Sequence, residues 1–315
     1  MGNALWTLRS FADQGFPPKS KFNVTDIPDL TGKVVIVTGG NTGIGKETVK
    51  ALLQHNAKVY MASRSKAKAE EAIADLKKDT GKEAIFLQLD LASLDAVKKA
   101  AEEYTNKESR LHILFNNGGV MIPPVKEVTV DGYDLQFGTN VLGHFYFTKL
   151  LLPTLLETAK DTPDGKVRVV NTSSSMHMVG KLNFDTFRDG KKRLGMGTQS
   201  LYGQSKFGNV VFSRELARRY GDQGIVSTSL NPGNLKTDLQ RHAPALVRSI
   251  MNSILYPAPY GALTQLYAGT SPDGADMNGK YLIPWARIGT PRKETSDPEA
   301  GVKLWEWLEE QVKGR

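Results

Sequence analysis

Short β-branched apolar runs alternate with helix-period segments along almost the whole chain, and that alternation leaves few folds open. Residues 34–38, 58–62, 84–89, 111–115, 167–171, 225–230 and 280–283 read as strands. Between and after them, residues 44–55, 67–78, 94–104, 132–159, 199–220, 262–268 and 301–313 read as helices, the fourth breaking near Pro153. The strands are apolar throughout rather than on alternate residues, as expected of a parallel sheet covered on both faces. Parallel strands need right-handed crossovers, so the expected architecture is α/β: a doubly wound parallel sheet of about seven strands, the Rossmann arrangement.

A chain of 315 residues is long for one domain but normal for an undivided α/β fold. We expect an N-terminal arm over residues 1–30, loop-like from residue 12 because of Pro17, Pro18 and Pro28, followed by one domain over 31–315. There is no cysteine, which removes disulfides, thiolate catalysis and thiolate metal sites. The five histidines offer no pair at metal-ligand spacing, so no metal is expected. A net charge of +8 comes without a basic run interleaved with aromatics, which argues against nucleic acid. A basic surface that steers a polyphosphate is the milder reading.

The first strand runs into Thr38-Gly39-Gly40-Asn41-Thr42-Gly43-Ile44-Gly45 and then into a helix. Glycines allow a tight turn and a close backbone approach, and a helix N-terminus favours an anion, so strand, turn and helix together read as a pyrophosphate site. The second strand ends Ala62-Ser63-Arg64. An NAD site places an acid there for the ribose 2′-hydroxyl, whereas an arginine pairs with a 2′-phosphate. Ser63 and Arg64 therefore point to NADP(H) over NAD(H), with Lys46 as a second nearby cation.

Tyr202 and Lys206 lie four apart on a helix, hence on one face. An ammonium beside a phenol stabilises the phenolate, which makes the pair an acid/base candidate. Ser173, Ser174 and Ser175 follow the fifth strand, at the carboxyl edge where open sheets bind ligands. One of the three hydroxyls is placed to hydrogen-bond a substrate carbonyl, and the other two suit a turn.

Taken in order, the glycine turn, Asn116-Asn117-Gly118-Gly119, the serines and the Tyr202/Lys206 pair resemble the classical short-chain dehydrogenase/reductase family over residues 31–285. The strings Asp131-Gly132-Tyr133, Asn140-Val141-Leu142-Gly143-His144-Phe145 and Tyr202-Gly203-Gln204-Ser205-Lys206 are similar to its retinol-dehydrogenase-like branch, which includes the WW-domain oxidoreductases. The resemblance implies Ser174 (Ser173 second) as the residue orienting the carbonyl and Tyr202 as proton donor and acceptor. It makes Lys206 the residue that lowers the tyrosine pKa and holds the nicotinamide ribose. Asn140 would place a water for proton relay. Asp90 and Leu91 would meet the adenine ring, and Asn117 and Gly118 the adenosine side. Asn231-Pro232-Gly233, with Thr237 beyond, would meet the carboxamide. Gly118 departs from the alanine usual in this motif.

Two segments should build the substrate pocket: residues 176–200, with Met176, Met178, Phe184 and Phe187, and the apolar stretch 234–259, read as a lid. His177 is a weaker candidate for touching substrate. Apolar linings suit a lipophilic aldehyde, ketone or alcohol. The leading expectation is an NADPH-dependent carbonyl reductase; an oxidative NAD-dependent alcohol dehydrogenase and a non-catalytic dinucleotide-binding regulator are the alternatives. No apolar stretch is long enough to span a membrane, and Trp6 spoils a myristoylation signal. Leu5, Trp6, Leu8 and Phe11 form an apolar patch that packs on the domain or meets a membrane or partner. A cytoplasmic place is expected, with peripheral membrane contact through the arm and a homo-oligomer left open.

Overall fold

The computed structural model describes residues 2–235 and 255–315. Eight strands form one sheet: β1 (Val34–Thr38), β2 (Lys58–Ser63), β3 (Ile85–Gln88), β4 (Ile113–Asn116), β5 (Val167–Thr172), β6 (Ile225–Leu230), β7 (Tyr281–Ile283) and β8 (Arg287–Gly289). Their order is β3-β2-β1-β4-β5-β6-β7-β8. All neighbours pair parallel except β7 and β8, which pair antiparallel. The eighth strand was not expected; three residues long, with Ile288 exposed, it carries too little apolar signal to stand out.

The longer helices are α1 (Gly2–Gly15), α2 (Gly43–Gln54), α3 (Lys66–Thr80), α4 (Leu94–Lys107), α5 (His144–Lys160), α6 (Thr198–Tyr220), α7 (Ala258–Thr270) and α8 (Pro298–Gln311). Successive residues of β1 serve opposite faces of the sheet. Ile36 joins a core with Val97, Phe145, Val211 and Trp305 of α4, α5, α6 and α8. Val35 and Val37 join a second core with Leu52, Leu76 and Leu266 of α2, α3 and α7. Burial on both faces is why the strands lack polar alternation.

Several expectations need correcting. Residues 12–30 are not simply loop, because α1 runs to Gly15 and a turn of 3-10 helix covers Val24–Asp26. The arm is packed down: Gln14, Phe22, Ile27 and Leu30 are buried. No break occurs near Pro153, which lies inside α5 on its exposed side, where water can satisfy the carbonyl it frees. The irregularity lies earlier: Leu135–Phe137 is one α turn and Gly138–Gly143 is a wide, π-helical turn. Three consecutive cations at 191–193 suit a solvated loop, but the structure does not place them in one. They lie in a short helix, Lys191–Leu194, and Arg193 is fully buried against the equally buried Asp134, 3.3 Å away. Arg193 also bonds Asp189 and the Val125 carbonyl, so it ties the segment before α6 to the loop after β4. Phe187 and Met178, expected in the pocket, are buried; Phe187 stacks on Phe137 with centroids 3.6 Å apart. The expected lid is described only at residues 234–235 and 255–259, and Thr237 lies outside the described residues.

Candidate active site

The sheet order reverses between β1 and β4, and a ligand crevice belongs at the carboxyl edge there. Gly39 follows β1 with φ +65°, a left-handed conformation that glycine adopts without strain. A Cβ on Gly45 would lie 2.1 Å from the Gly39 carbonyl oxygen, so the turn closes only with glycine there. Gly118 faces the same turn: its Cβ would sit 3.1 Å from Leu91 and 3.2 Å from the Gly39 nitrogen. The departure from alanine thus relieves a tight contact at this spot.

Thr38 organises the crevice, a role the sequence did not reveal. Its Oγ1 accepts the amides of Asn117 and Gly118, each at 2.9 Å, and lies 2.9 Å from His144 Nε2. The Asn117 amide group donates to the Thr38 carbonyl at 2.9 Å. Asn41 and Thr42 complete the turn, and Thr42 gives α2 no side-chain cap, so Gly43, Ile44 and Gly45 open the helix with amides suited to an anion.

At the end of β2 the Ser63 hydroxyl is buried without a hydrogen-bond partner among the described residues, a group that a ribose or its phosphate would satisfy. Arg64 is exposed and makes no ion pair among the described residues. Lys46, expected as a second cation, instead pairs with Asp75 at 2.9 Å. Asp90 caps its own turn through the Ala92 amide at 3.0 Å, and Leu91 is buried. The orphaned Ser63 hydroxyl, the glycine cradle and the uncapped helix fit a dinucleotide.

Ser173 and Ser174 separate cleanly. Ser173 is buried and donates to the Lys206 carbonyl at 2.7 Å, which commits it to holding α6. Ser174 is half-buried, its hydroxyl accepts from the Met176 amide at 3.2 Å, and it bears on the Tyr202 phenol by favouring its ionised form. Tyr202 and Lys206 are both 6% exposed. The Lys206 ammonium donates to the Thr172 carbonyl at 3.0 Å and stands 5.7 Å from the Tyr202 ring centre. The expected acidified phenol is not what this geometry gives. Burial pushes the Tyr202 phenol up to about 12, with Ser174 pulling the other way, and pushes Lys206 down to about 8. The cause is desolvation of both groups, which disfavours either charged form.

Asn140 sits in the wide turn. Its side chain accepts from the Val120 amide at 2.9 Å and donates to the Val120 carbonyl and to Ser205 Oγ, both at 3.0 Å. It clamps the loop after β4 to α6, and its main-chain carbonyl lies 3.0 Å from His144 Nδ1. Pro232 is half-buried, and Gly233 has φ +92° with Trp285 packed where a Cβ would go. Gln14 was also missed: its Oε1 accepts from Asn231 at 2.9 Å and from the Tyr281 hydroxyl at 3.3 Å. Nothing in one sequence marks a glutamine before two prolines as buried beside a site.

His177 is fully buried and does not reach a pocket; its Nδ1 meets the Ser174 carbonyl at 2.7 Å. Burial holds His112, His144 and His177 down to about 4. These rings stay neutral when folded, whereas the unfolded chain takes up protons below about 6.5. Stability is therefore expected to fall as pH drops from about 6.5 toward 4, by up to about 3 kcal/mol per ring. Melting temperatures across that window check this, and a flat profile contradicts it.

The short chain dehydrogenase family matches residues 33–246. The chain belongs to this family. A short-chain dehydrogenase/reductase of Armillaria gallica is 61% identical over 313 residues, 99% of each chain. Among solved structures, an uncharacterised Mycobacterium paratuberculosis protein aligns with TM-score 0.70 and 27% identity, over 93% of this chain and 98% of that one. The NADP complex of Pseudomonas aeruginosa RhlG aligns with TM-score 0.64 and 26% identity, over 81% and 95%. This short-chain dehydrogenase is thus an NAD(P)-dependent oxidoreductase acting on small molecules. No helix among its described residues is long and apolar enough to cross a membrane.

Proposed function

We propose that this short-chain dehydrogenase is an NADPH-dependent reductase of lipophilic aldehydes and ketones. The observation that carries the reading is the buried Tyr202 phenol, with Ser174 at the carboxyl edge of β5 and Lys206 one turn away. A phenol pushed up to about 12 holds its proton at neutral pH, which suits a donor to a carbonyl being reduced.

The bound dinucleotide supplies the hydride to the carbonyl carbon. Ser174 donates to the carbonyl oxygen and fixes the substrate. Tyr202 gives that oxygen its proton as the negative charge develops there, and the C=O becomes CH–OH. Lys206, held by Thr172, faces the resulting phenolate with a positive charge. Gly39, Asn41, Thr42, Gly43, Ile44 and Gly45 cradle the pyrophosphate, Ser63 and Arg64 take the 2′-phosphate, and Asp90, Leu91, Asn117 and Gly118 line the adenosine. Pro232 and Gly233, and Thr237 in the segment beyond, belong to the carboxamide end.

Half-buried Val120, Met121, Ile122 and Met176 support an apolar substrate. The retinol-dehydrogenase-like strings agree with that lipophilic preference. An oxidative NAD enzyme would want an acid after β2, where Ala62-Ser63-Arg64 has none. A pure dinucleotide-binding regulator would have no use for the Ser174–Tyr202 pair. A cytoplasmic place is part of this proposal.

A panel of aldehydes and ketones, followed by loss of NADPH absorbance with NADH in parallel, tests the reading. Inactivity across the panel overturns reduction of such carbonyls. Replacing Arg64 by Asp is expected to cut the NADPH-to-NADH preference in kcat/KM about 100-fold, the loss of a charge-assisted bond plus a new repulsion. An unchanged ratio removes Arg64 from cofactor choice.

A further inference from the structure

His144 opens α5 and is 2% exposed. Its Nδ1 lies 3.0 Å from the Asn140 carbonyl oxygen. A carbonyl only accepts, so Nδ1 carries the ring proton and Nε2 is left as an acceptor. The Thr38 hydroxyl, 2.9 Å from Nε2, must therefore donate to it. Thr38 Oγ1 also lies 3.2 Å from the Phe115 carbonyl, but it has one proton, and the neutral imidazole is the shorter contact. Its lone pairs meanwhile receive the Asn117 and Gly118 amides.

The donors run in one direction: Asn117 and Gly118 to Thr38, Thr38 to His144, His144 to Asn140. One end of the chain is the turn that holds the adenosine side. The other is the wide turn Gly138–Gly143, where the His144 backbone amide bonds the Val141 carbonyl. The imidazole supplies the Asn140 carbonyl with a donor from residue i+4 in place of that amide. Lys206 is the charged group that bears on the ring, and its charge reinforces the neutral form.

We propose that His144 is a positioning residue that couples the cofactor-binding turn at Thr38 to the Asn140 carbonyl beside the Tyr202/Lys206 helix. The proposal rests on the redox reading above, with Tyr202 as the proton donor. It assigns separate duties to the two ring nitrogens. Nε2 steadies Thr38 and hence the cofactor turn, and Nδ1 fixes the direction of the Asn140 carbonyl and hence the relay water that the family resemblance assigns to Asn140.

Two amide substitutions divide these duties. Glutamine places its terminal group near Nε2 and asparagine near Nδ1. For His144→Gln we expect the NADPH Kd, read by fluorescence titration, to stay within about threefold, with kcat down about tenfold and the alkaline limb of the kcat profile displaced. For His144→Asn we expect the reverse: Kd raised about tenfold and kcat within about threefold. His144→Phe should lose on both counts. Equal effects of Gln and Asn on Kd and kcat, or a His144→Phe variant that changes only the melting temperature, overturn the proposal. If Phe does not fold, Gln and Asn still decide, and nitrogen NMR of the native ring must report the Nδ1–H tautomer. An active Tyr202→Phe would instead sink the redox reading itself, whatever the His144 variants do.

Discussion

Replacing Tyr202 by phenylalanine is expected to lower kcat for carbonyl reduction by at least about 1,000-fold, near the upper range for loss of a general acid. NADPH affinity should change by less than about threefold, because the ring, buried at 6% exposure, keeps its packing and loses one oxygen. Burial keeps the phenol protonated through the neutral range, so its removal leaves the developing alkoxide with the serine donor alone. Both readouts are needed: stopped-flow hydride transfer for the chemistry and fluorescence titration for binding. A variant within tenfold of the native rate would mean that another group, or water, supplies the proton. Ser174→Ala should cost less, since it orients the carbonyl without giving up its proton for good.

The second large effect is expected at Gly45. Alanine there would put a methyl carbon 2.1 Å from the Gly39 carbonyl oxygen and 2.8 Å from Asn117 Nδ2. Neither neighbour is the far end of a flexible side chain free to move. The turn must open, pulling the α2 amides away from the pyrophosphate and Asn117 away from Thr38. Kd for NADPH should rise about 100-fold or more, in line with the loss of two or more hydrogen bonds. The melting temperature without cofactor should fall by several degrees, since about 1 kcal/mol moves a domain of this size by roughly 2–4 °C. Native affinity in Gly45→Ala would remove the cradle from the argument.

Much of this architecture could be read in advance because burial on both faces leaves a plain mark. β6 coincides with its expected range, 225–230, since all its residues are buried. The glycine turn was legible because position and spacing carry its chemistry. What escaped was decided by distant partners. Gln14 looks like any polar residue until Asn231 and Tyr281 arrive beside it. Pro153 reads as a breaker because a sequence does not tell which side of a helix faces water. Arg193 sits in a run of three cations, and only Asp134 and Asp189 explain why one of them is inside. The proposal of Ser174 over Ser173 likewise rests on one bond, from Ser173 to the Lys206 carbonyl. The phenol's pKa runs against expectation because spacing shows an ammonium nearby but not the burial that desolvates both groups.

The first helix carries one more consequence, in the order of assembly. Gln14 closes on Asn231 and Tyr281, 217 and 267 residues later, and Asp13 meets Arg287. On the ribosome α1 emerges well before its docking partners, which lie more than 200 residues further along the chain. It must wait for those later residues before Gln14 and Asp13 find their partners, and contacts that close such long loops form late. A limited-proteolysis time course on stalled nascent chains should find residues 2–15 cut until the segment around Tyr281 has cleared the exit tunnel, and protected afterwards.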